Sequence, residues 1–295
     1  VSGFPRLSRA SPFPEIGGRL KRRDGWQIVY LLALRFPVLR TRVADWLAFR
    51  SKWHLDSSSY QFAKKSDIFI AYNGCGLDTF LRLKGTGVLR IIEVVNSHVD
   101  VQEQILSEEH AALGLPYRGI LPAEKNRRLR EYEEADYILC PSSFVERSLL
   151  SRGISAHKII KNTYGFRSLP NSDAPPSSRP PGRVLYVGTI SVRKGLRYLV
   201  EGFCALKRTD IELWLVGPIT DATGLENHLL PPNVKLKGIL KGEMLSAAYR
   251  GSSIFVLPSI EEGQALVTAE ALSFGLPVIA TQNSGADDII TDGLE

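Results

Sequence analysis

Residues 253–282 read SIFVLPSIEEGQALVTAEALSFGLPVIATQ, which is two short apolar runs with one helical segment between them. The runs SIFVLPS (253–259) and PVIATQ (277–282) are continuously apolar instead of alternating, as is typical of parallel strands covered on both faces. The segment between them predicts a helix over 264–274. The stretch therefore indicates a strand–helix–strand unit of a parallel α/β sheet.

The same alternation of apolar runs and helical segments extends along most of the chain. Strands are predicted at 67–73, 88–95, 136–142, 158–166, 183–188, 211–217 and 234–240, and helices at 99–112, 124–135, 143–152, 195–207 and 243–250. Because strand–helix–strand crossovers are right-handed, this order predicts doubly wound parallel sheets.

Residues 168–182 (SLPNSDAPPSSRPPG) are rich in Pro and Ser and lack apolar periodicity, so they indicate an extended linker. The linker predicts an N-terminal domain over 1–167 and a C-terminal domain over 183–295. We expect each domain to be Rossmann-like and the two to face a cleft. In open α/β sheets ligands bind beyond the carboxyl ends of the strands, so we expect the chemistry in that cleft.

The net charge of +6 is unevenly distributed. Residues 1–180 hold 27 Lys and Arg against 18 Asp and Glu, whereas residues 181–295 hold 10 against 13. Most of the excess precedes residue 66, where 18–53 mix basic residues with Trp, Leu and Phe. This segment is interpreted either as an amphipathic surface that contacts anionic lipid headgroups, or as a solvated helical face with a buried apolar stripe. No signature of nucleic-acid recognition is present, so nucleic acid is not an expected partner.

The ends of the chain suggest an incomplete sequence, since it begins with Val1 and stops at Glu295 inside an unfinished unit. No signal peptide and no apolar run of membrane-spanning length is visible. We therefore expect a cytoplasmic protein, peripheral at the inner face of the membrane if the basic segment binds lipid. The three cysteines have no metal-ligand spacing, and Cys140 and Cys204 are expected to be reduced and buried.

The stretch YVGTISVRKGLRYLVEGF (186–203) predicts a strand, a turn and a helix. Gly188 ends the strand, Gly195 opens the helix, and Arg193 and Lys194 lie between them. A helix N-terminus beside two cations suits a phosphate or diphosphate, although a basic surface loop would look the same. The glycine patterns of the Rossmann dinucleotide loop and of the P-loop are both absent.

Glu262 is expected in the loop after the strand 253–259, facing the cleft. The helix that follows begins near Gln264, so the N–H groups of Gln264, Ala265 and Leu266 are expected to be free and to hold an anion or a sugar oxygen.

Glu270 lies on an apolar stripe of the same helix, one turn from Leu266 and from Phe274. A buried carboxylate needs donors, and two adjacent sugar hydroxyls would supply them. The alternatives are an ion pair with a nearby Arg or Lys, or a side chain turned to solvent. Together with the basic turn, the two glutamates provide the groups needed to hold a nucleotide diphosphate-sugar.

The segment PSIEEGQALVTAEALSFGLPVIAT resembles the E-x7-E region of retaining glycosyltransferases of family four, which have the GT-B fold. The similarity runs through YVGTISVRKG, LWLVGP, VKLKGIL and YRGSSIFVLPSIEEG, and covers 183–293. It implies that Lys194 holds the donor diphosphate, that Glu262 bonds the donor sugar and that Glu270 bonds the ribose.

The resemblance also implies a wider set of donor-binding positions. Backbone groups from Gly263 to Leu266 would contact the sugar and phosphate of the donor, with Gln264 and Ala265 between them. Gly238 and Ile239 would lie against the base. The remaining positions that would line the same cleft are Gly188, Thr189, Gly217 and Pro218. Two positions depart from the family pattern, since Thr189 replaces a frequent arginine and Ala265 replaces a glycine. Arg193 is a candidate to substitute for that arginine.

In the N-terminal half, EVVNSHVDVQEQILSEEHAALG (93–114) is similar to a segment in which a histidine follows an apolar strand at the cleft. The similarity implies that His98 lies near the reacting sugar, and the alternative is a structural histidine. The catalytic candidates are then His98, Arg193, Lys194 and Glu262.

The resemblance implies sugar transfer with retention of configuration to a glycan, lipid-linked or small-molecule acceptor. The sequence has no strong metal-ligand cluster, so we expect no essential metal, and no cofactor is expected beside the nucleotide diphosphate-sugar. Three alternatives remain at this point: a nucleotide-sugar-binding module without turnover, a nucleotide-sugar epimerase and a phosphorylase of the same two-lobed fold. An epimerase would need proton-transfer groups in the cleft, and a phosphorylase would need a pyridoxal-bearing lysine.

Overall fold

The computed structural model describes residues 25–34, 42–166, 182–220, 223–225 and 230–294. It contains two parallel β-sheets, one on each side of residues 167–181. We call the described residues up to 166 the N-terminal lobe and those from 182 onward the C-terminal lobe.

The N-terminal lobe is built on a parallel sheet with the strand order β1–β2–β3–β4. Its described elements are α1 (Gly25–Ala33), α2 (Arg42–Ala63), β1 (Ile68–Tyr72), α3 (Leu77–Leu83), β2 (Leu89–Glu93), α4 (Val99–Ala112), α5 (Pro122–Glu134), β3 (Tyr137–Cys140), α6 (Ser143–Leu150) and β4 (Ile159–Lys161).

The C-terminal lobe has the strand order β7–β6–β5–β8–β9, and every pairing is parallel. Its described elements are β5 (Arg183–Val187), α7 (Leu196–Ala205), β6 (Glu212–Val216), β7 (Val234–Gly238), α8 (Glu243–Arg250), β8 (Ile254–Leu257), α9 (Leu266–Ser273) and β9 (Val278–Ala280). The chain runs outward from β5 to β7 and then returns to pair β8 on the other side of β5. The carboxyl ends of β5 and β8 therefore border the point where strand order reverses, which is where such sheets bind ligands.

The apolar runs form one core in each lobe. Leu185 of β5 and Leu213 of β6 are completely inaccessible to solvent, as is Phe255 of β8. In the N-terminal lobe Ile92 and Ile138 are equally inaccessible at the centre of the sheet. Burying one such side chain contributes roughly 1.5–3 kcal/mol, so the inner strands hold each lobe together.

The structure confirms the parallel α/β architecture and its division into two sheets. Each strand named from the sequence is present, shortened by one to six residues, and the helices over 99–112, 124–135 and 264–274 are present as α4, α5 and α9. Helix α3 was not predicted, because its seven residues, LDTFLRL, form about two helical turns and are too short to show a clear apolar period. The predicted linker lies outside the described residues except for Gly182.

The structure also tests the expected burial of the cysteines and the expected absence of a membrane-spanning segment. Cys140 is buried as expected, but Cys204 is exposed, because it lies on the outer side of α7. Within the described ranges no helix has both the length and the apolarity that a membrane crossing needs.

Candidate functional site

The turns that leave β5 and β8 lie directly against each other. The Ile260 N–H donates to the Arg193 carbonyl at 2.9 Å, which joins the two turns through their backbones. Gly195 stands at the start of α7 with a φ of +65°, and a Cβ atom there would overlap the carbonyl oxygen of Pro258. Only glycine fits this left-handed position at so close an approach, so Gly195 is what lets the basic turn and the glutamate turn share one site.

Lys194 and Glu262 form an ion pair across these two turns. Both side chains are largely buried, with 18% and 17% of their surfaces exposed. Burial, and secondarily the neighbouring Arg193 guanidinium, lowers the pKa of the Lys194 ammonium to about 8. The structure thus brings together the side chain predicted to bind the diphosphate, Lys194, and the side chain predicted to bind the sugar, Glu262, and each neutralises the charge of the other.

Arg193 points toward the opposite lobe. Its Nη2 donates to the side-chain oxygen of Asn96 at 2.8 Å, and its Nε donates to the Glu261 carbonyl at 2.9 Å. The same Nε lies 2.9 Å from the Glu261 carboxylate, and Nη2 lies 3.7 Å from that of Glu262. The guanidinium therefore sits where the two lobes meet, beside the Lys194–Glu262 pair.

Glu261 belongs to the site although sequence reasoning did not single it out. It is completely buried, and its carboxylate accepts hydrogen bonds from Ser97 and Gln102 of the N-terminal lobe. The only signal in the sequence was its position beside Glu262. Nothing local distinguishes the two glutamates, because the partners of Glu261 are about 160 residues earlier in the chain.

Glu270 is placed differently from the other candidates. Its carboxylate accepts a hydrogen bond from the Tyr249 hydroxyl at 2.9 Å, and Tyr249 is itself completely buried and stacked on Phe274. Burial raises the pKa of Glu270, while the Tyr249 hydrogen bond acts in the opposite direction. Neither alternative considered from the sequence, a Lys or Arg partner or a fully solvated side chain, describes this arrangement.

The turn from Glu262 to Leu266 touches both lobes. Gly263 packs so closely on the N-terminal lobe that a Cβ atom would overlap the carbonyl oxygen of Val95. The expectation that the Ala265 N–H is free was wrong, because it donates to the Ser284 carbonyl at 3.2 Å. The Gln264 side chain accepts from the Tyr164 N–H at 2.6 Å. This turn is therefore held from both sides.

The other residues predicted to bind the nucleotide diphosphate-sugar lie at the carboxyl ends of β5, β6 and β7. The Gly217 N–H donates to the Gly238 carbonyl at 2.8 Å, and the Ile190 N–H, next to Thr189, donates to the Pro218 carbonyl at 2.8 Å. Gly188 donates to Val216 in the same ladder, and Ile239 is 57% exposed just beyond β7. The structure brings these positions to one sheet edge, with Ile239 available to contact a flat ring.

His98 caps the N-terminus of α4, where its Nδ1 accepts from the Asp100 N–H at 3.2 Å. The ring is almost entirely buried against Tyr132, with centroids 4.8 Å apart. Burial lowers the pKa of this imidazole to about 4, so it is neutral at physiological pH. Its backbone nevertheless adjoins Ser97, which contacts Glu261, so the turn that carries His98 reaches the site.

A cavity of about 410 Å³ lies beside the start of α9. It is lined by Tyr164 and Phe166 of the N-terminal lobe and by Gln264, Ala265, Leu266 and further residues of the C-terminal lobe. The Lys194–Glu262 pair lies outside its lining. In the described ranges no group of three or more His, Cys, Asp or Glu side chains is arranged to hold a metal ion.

Comparison with known proteins identifies the C-terminal lobe. Residues 181–295 match the family described as Glycosyl transferases group 1. Sulfoquinovosyl transferase SQD2 of Arabidopsis thaliana is 30% identical over 56% of this chain and 34% of its own length. GDP-mannose-dependent alpha-mannosyltransferase of Mycolicibacterium smegmatis is 29% identical over 54% and 43%, respectively. The chain thus spans less than half the length of these relatives.

The arrangement of both lobes is also similar to that of solved structures. Sucrose-phosphate synthase from Thermosynechococcus elongatus superposes with a TM-score of 0.62 at 21% identity, covering 82% of this chain and 63% of that protein. The two-lobed arrangement is the GT-B fold of glycosyltransferases, and the C-terminal lobe is a Glycosyl transferases group 1 domain. The expected GT-B fold is confirmed, and the expected glycosyltransferase relationship is confirmed at the level of the group 1 domain, whereas assignment to family four and retention of configuration stay predictions.

Proposed function

We propose that this chain, whose residues 181–295 form a Glycosyl transferases group 1 domain, moves a sugar from a nucleotide diphosphate-sugar to an acceptor hydroxyl with retention of configuration. The observation that carries the proposal is the Lys194–Glu262 pair at the switch point of the C-terminal sheet. A cation for a diphosphate and a carboxylate for sugar hydroxyls are already adjacent there. A nucleotide diphosphate-sugar offers both partners at once.

Donor binding would exchange the partners of this ion pair. The Lys194 ammonium would turn from Glu262 to the diphosphate, and the freed Glu262 carboxylate would accept from hydroxyls of the sugar. Arg193, which is 31% exposed at the lobe junction, supplies a second positive charge beside it. Glu270, oriented by Tyr249, would accept from the ribose, and the base would lie against Gly238 and Ile239.

In the transfer step the bond between the sugar C1 and the diphosphate oxygen breaks, and the electron pair stays on the diphosphate. The acceptor oxygen forms a bond to C1 on the same face, and its proton passes to the departing phosphate oxygen. Lys194, Arg193 and the N-terminus of α7 stabilise the charge that develops on the leaving group. Before the donor binds, Glu261 and Glu262 are each paired with a cation, unlike the paired catalytic carboxylates of glycosidases; once it is bound, Glu262 accepts from sugar hydroxyls and Glu261 stays with Arg193.

We propose that no metal ion is essential, because these cations can balance the diphosphate. The predicted result is unchanged donor turnover in EDTA. Loss of turnover in EDTA, with recovery on adding Mg²⁺ or Mn²⁺, would contradict this part of the proposal.

The experiment that tests the function is a screen of UDP-, GDP- and ADP-sugars. Ligand-detected NMR would identify the donor that binds, and release of free nucleotide would then be measured with and without candidate glycan, lipid-linked and small-molecule acceptors. Release that depends on an acceptor supports a transferase. Binding without release supports the alternative of a nucleotide-sugar-binding module, an alternative that the substitutions Thr189 and Ala265 keep open. Interconversion of the donor sugar without acceptor would support an epimerase.

For the acceptor side, we propose a peripheral contact with an anionic membrane surface. Helices α1 and α2 pack together and present large apolar side chains that are each 37–50% exposed, namely Ile28, Val29, Leu32, Val43, Trp46 and Trp53. The Arg50 guanidinium lies 4.8 Å from the centre of the Trp53 ring and 5.7 Å from that of Trp46. Tryptophan beside arginine, in a basic segment, suits the headgroup region of a bilayer. Such a contact would place a lipid-linked acceptor at the N-terminal lobe.

Sedimentation with vesicles tests this contact. Vesicles of phosphatidylcholine with added phosphatidylglycerol should bind the wild type, and Trp46→Ala should bind less. Leu55 is also exposed but lies about half a helical revolution from the stripe, so Leu55→Ala is the matched control. Equal binding of all three proteins, or equal binding to vesicles without the anionic lipid, would refute the contact.

A further inference from the structure

The Glu261 carboxylate is bound by three residues, and two of them, Ser97 and Gln102, belong to the other lobe. Its Oε1 accepts from the Ser97 N–H at 2.9 Å and from the Ser97 hydroxyl at 2.7 Å. Its Oε2 accepts from the Gln102 amide at 3.0 Å and lies 2.9 Å from the Arg193 Nε. The carboxylate is completely buried, so no part of it reaches water in this arrangement.

The energetics of such a group depend on whether the lobes are together. A buried carboxylate is tolerated only when its oxygens are satisfied, and removing its partners is strongly destabilising because a buried charge is left unpaired. Separation of the lobes would take away Ser97 and Gln102, and of the partners in the described part of the chain only Arg193, which belongs to the same lobe as Glu261, would remain. The bonds of Glu261 are therefore complete in the closed arrangement alone.

The same bonds determine where candidate site residues lie. Ser97 precedes His98, and Gln102 lies one turn into α4, so Glu261 holds the first turn of α4 against the glutamate turn. It also fixes the Arg193 guanidinium, whose far end reaches Asn96. Lys194 is the next residue after Arg193, and Glu262 is the next residue after Glu261, so the Lys194–Glu262 pair lies directly beside the groups that Glu261 holds.

We propose that Glu261 is a positioning residue that couples closure of the two lobes to the placement of Arg193 and of the first turn of α4 at the donor site. This inference rests on the proposed sugar transfer. It assigns Glu261 no contact with the substrate, and its carboxylate remains with Ser97, Gln102 and Arg193 throughout the reaction. The neighbouring Glu262 has the substrate-contacting role.

The coupling has a consequence that a purely structural residue would lack. Lys194, Gly238, Ile239 and Glu270, the groups proposed to hold the nucleotide itself, belong to the C-terminal lobe and form no hydrogen bond to Glu261, so Glu261→Ala should weaken the Kd for UDP, GDP or ADP by a clearly smaller factor than it lowers turnover. Donor turnover needs the closed arrangement, so it should fall about tenfold or more, equivalent to about 1.4 kcal/mol or more. Glu261→Gln should lose less turnover than Glu261→Ala, because its amide oxygen still accepts from Ser97 while its NH2 group replaces the oxygen that faces Gln102 and Arg193.

Lobe separation can be measured without any substrate. Cys204 is exposed on α7, whereas burial raises the pKa of the Cys75 thiol to about 11 and that of Cys140 to about 12, so Cys204 reacts first with a nitroxide reagent at neutral pH. A second label at Lys65→Cys, an exposed position after α2, reports on the N-terminal lobe. Double electron–electron resonance then gives the distance distribution between the lobes.

The wild type should give one narrow distribution, Glu261→Ala a broader one shifted to longer distances, and Glu261→Gln a distribution between these two. Glu108→Ala is the matched control, since Glu108 is exposed on α4 and its hydrogen bond among the described residues comes from Gln104 of its own helix. If Glu261→Ala does not fold, Gln102→Leu removes one cross-lobe donor while keeping the carboxylate and should broaden the distribution to a smaller extent.

Wild-type distances in both Glu261→Ala and Gln102→Leu would overturn the inference, as would a loss of nucleotide affinity equal to the loss of turnover. A wild-type protein that releases nucleotide from none of the three donor classes would instead refute the proposed function. The two failures are distinguishable because the distance measurement needs no donor.

Discussion

Replacing Lys194 by arginine should abolish the pH dependence of donor use near pH 8. In the wild type the ammonium must be charged to hold the diphosphate, but burial and the adjacent Arg193 guanidinium lower its pKa to about 8. Arginine remains charged throughout this range. The value of kcat/KM reports the free protein, in which Lys194 still carries this lowered pKa.

The magnitude follows from the titration of one group. With a pKa of about 8, about nine-tenths of the protein carries a charged Lys194 at pH 7 and about one-tenth at pH 9. The wild-type kcat/KM should therefore fall about tenfold between these values, which corresponds to about 1.4 kcal/mol of donor binding. Lys194→Arg should lose less than about twofold over the same interval, whatever its absolute rate.

Unfolding would not mimic this loss. Because the folded pKa lies below the ordinary value of 10.5, the unfolded chain binds more protons than the folded one between about pH 8 and pH 10.5. The contribution of Lys194 to stability therefore rises as pH rises through this interval, while donor use falls. Thermal midpoints measured at the same pH values separate the two effects.

The assay is the initial rate of nucleotide release at a donor concentration well below KM, with the donor that the NMR screen identifies. Both proteins are measured at each pH in the same buffer series. A wild-type rate that is flat between pH 7 and pH 9, or an Lys194→Arg rate that falls with the same slope, would show that the charge of Lys194 does not act on the diphosphate.

Three further substitutions test other parts of the site. Glu262→Gln should lower nucleotide release by about a hundredfold with the circular dichroism unchanged, and a wild-type rate would remove Glu262 from the reaction. Tyr249→Phe removes the hydroxyl whose hydrogen bond counteracts the effect of burial on the Glu270 pKa, so the Glu270 carboxylate should be protonated more readily. Nucleotide affinity measured by calorimetry should therefore weaken more at pH 6 than at pH 8, and an equal change at both pH values would contradict the ribose role of Glu270. Gly263→Ala forces a methyl group into the Val95 carbonyl and should destabilise the protein by about 1–3 kcal/mol, so an unchanged melting temperature would contradict the lobe contact.

Much of the fold was available from local pattern. Continuous apolar runs such as 183–188 and 253–259 gave the parallel strands, because a strand buried on both faces needs no polar alternation. Gly195 could be placed at the start of a helix because it stands between two cations and the helical pattern that follows them. The pairing of Lys194 with Glu262 was expected only as proximity in one cleft, and the structure shows a direct ion pair.

The amino-acid sequence by itself determined that this chain forms two parallel α/β units and that the basic turn and the glutamate turn lie at strand ends, since those features depend on residues close together in the chain. The tertiary structure alone decided which glutamate faces the lobe junction. Glu261 and Glu262 are neighbours of identical chemistry, and what separates their roles is contact with Ser97 and Gln102 on one side and with Lys194 on the other. Contacts between residues so far apart in the chain are fixed by how the lobes pack, and no local pattern records them.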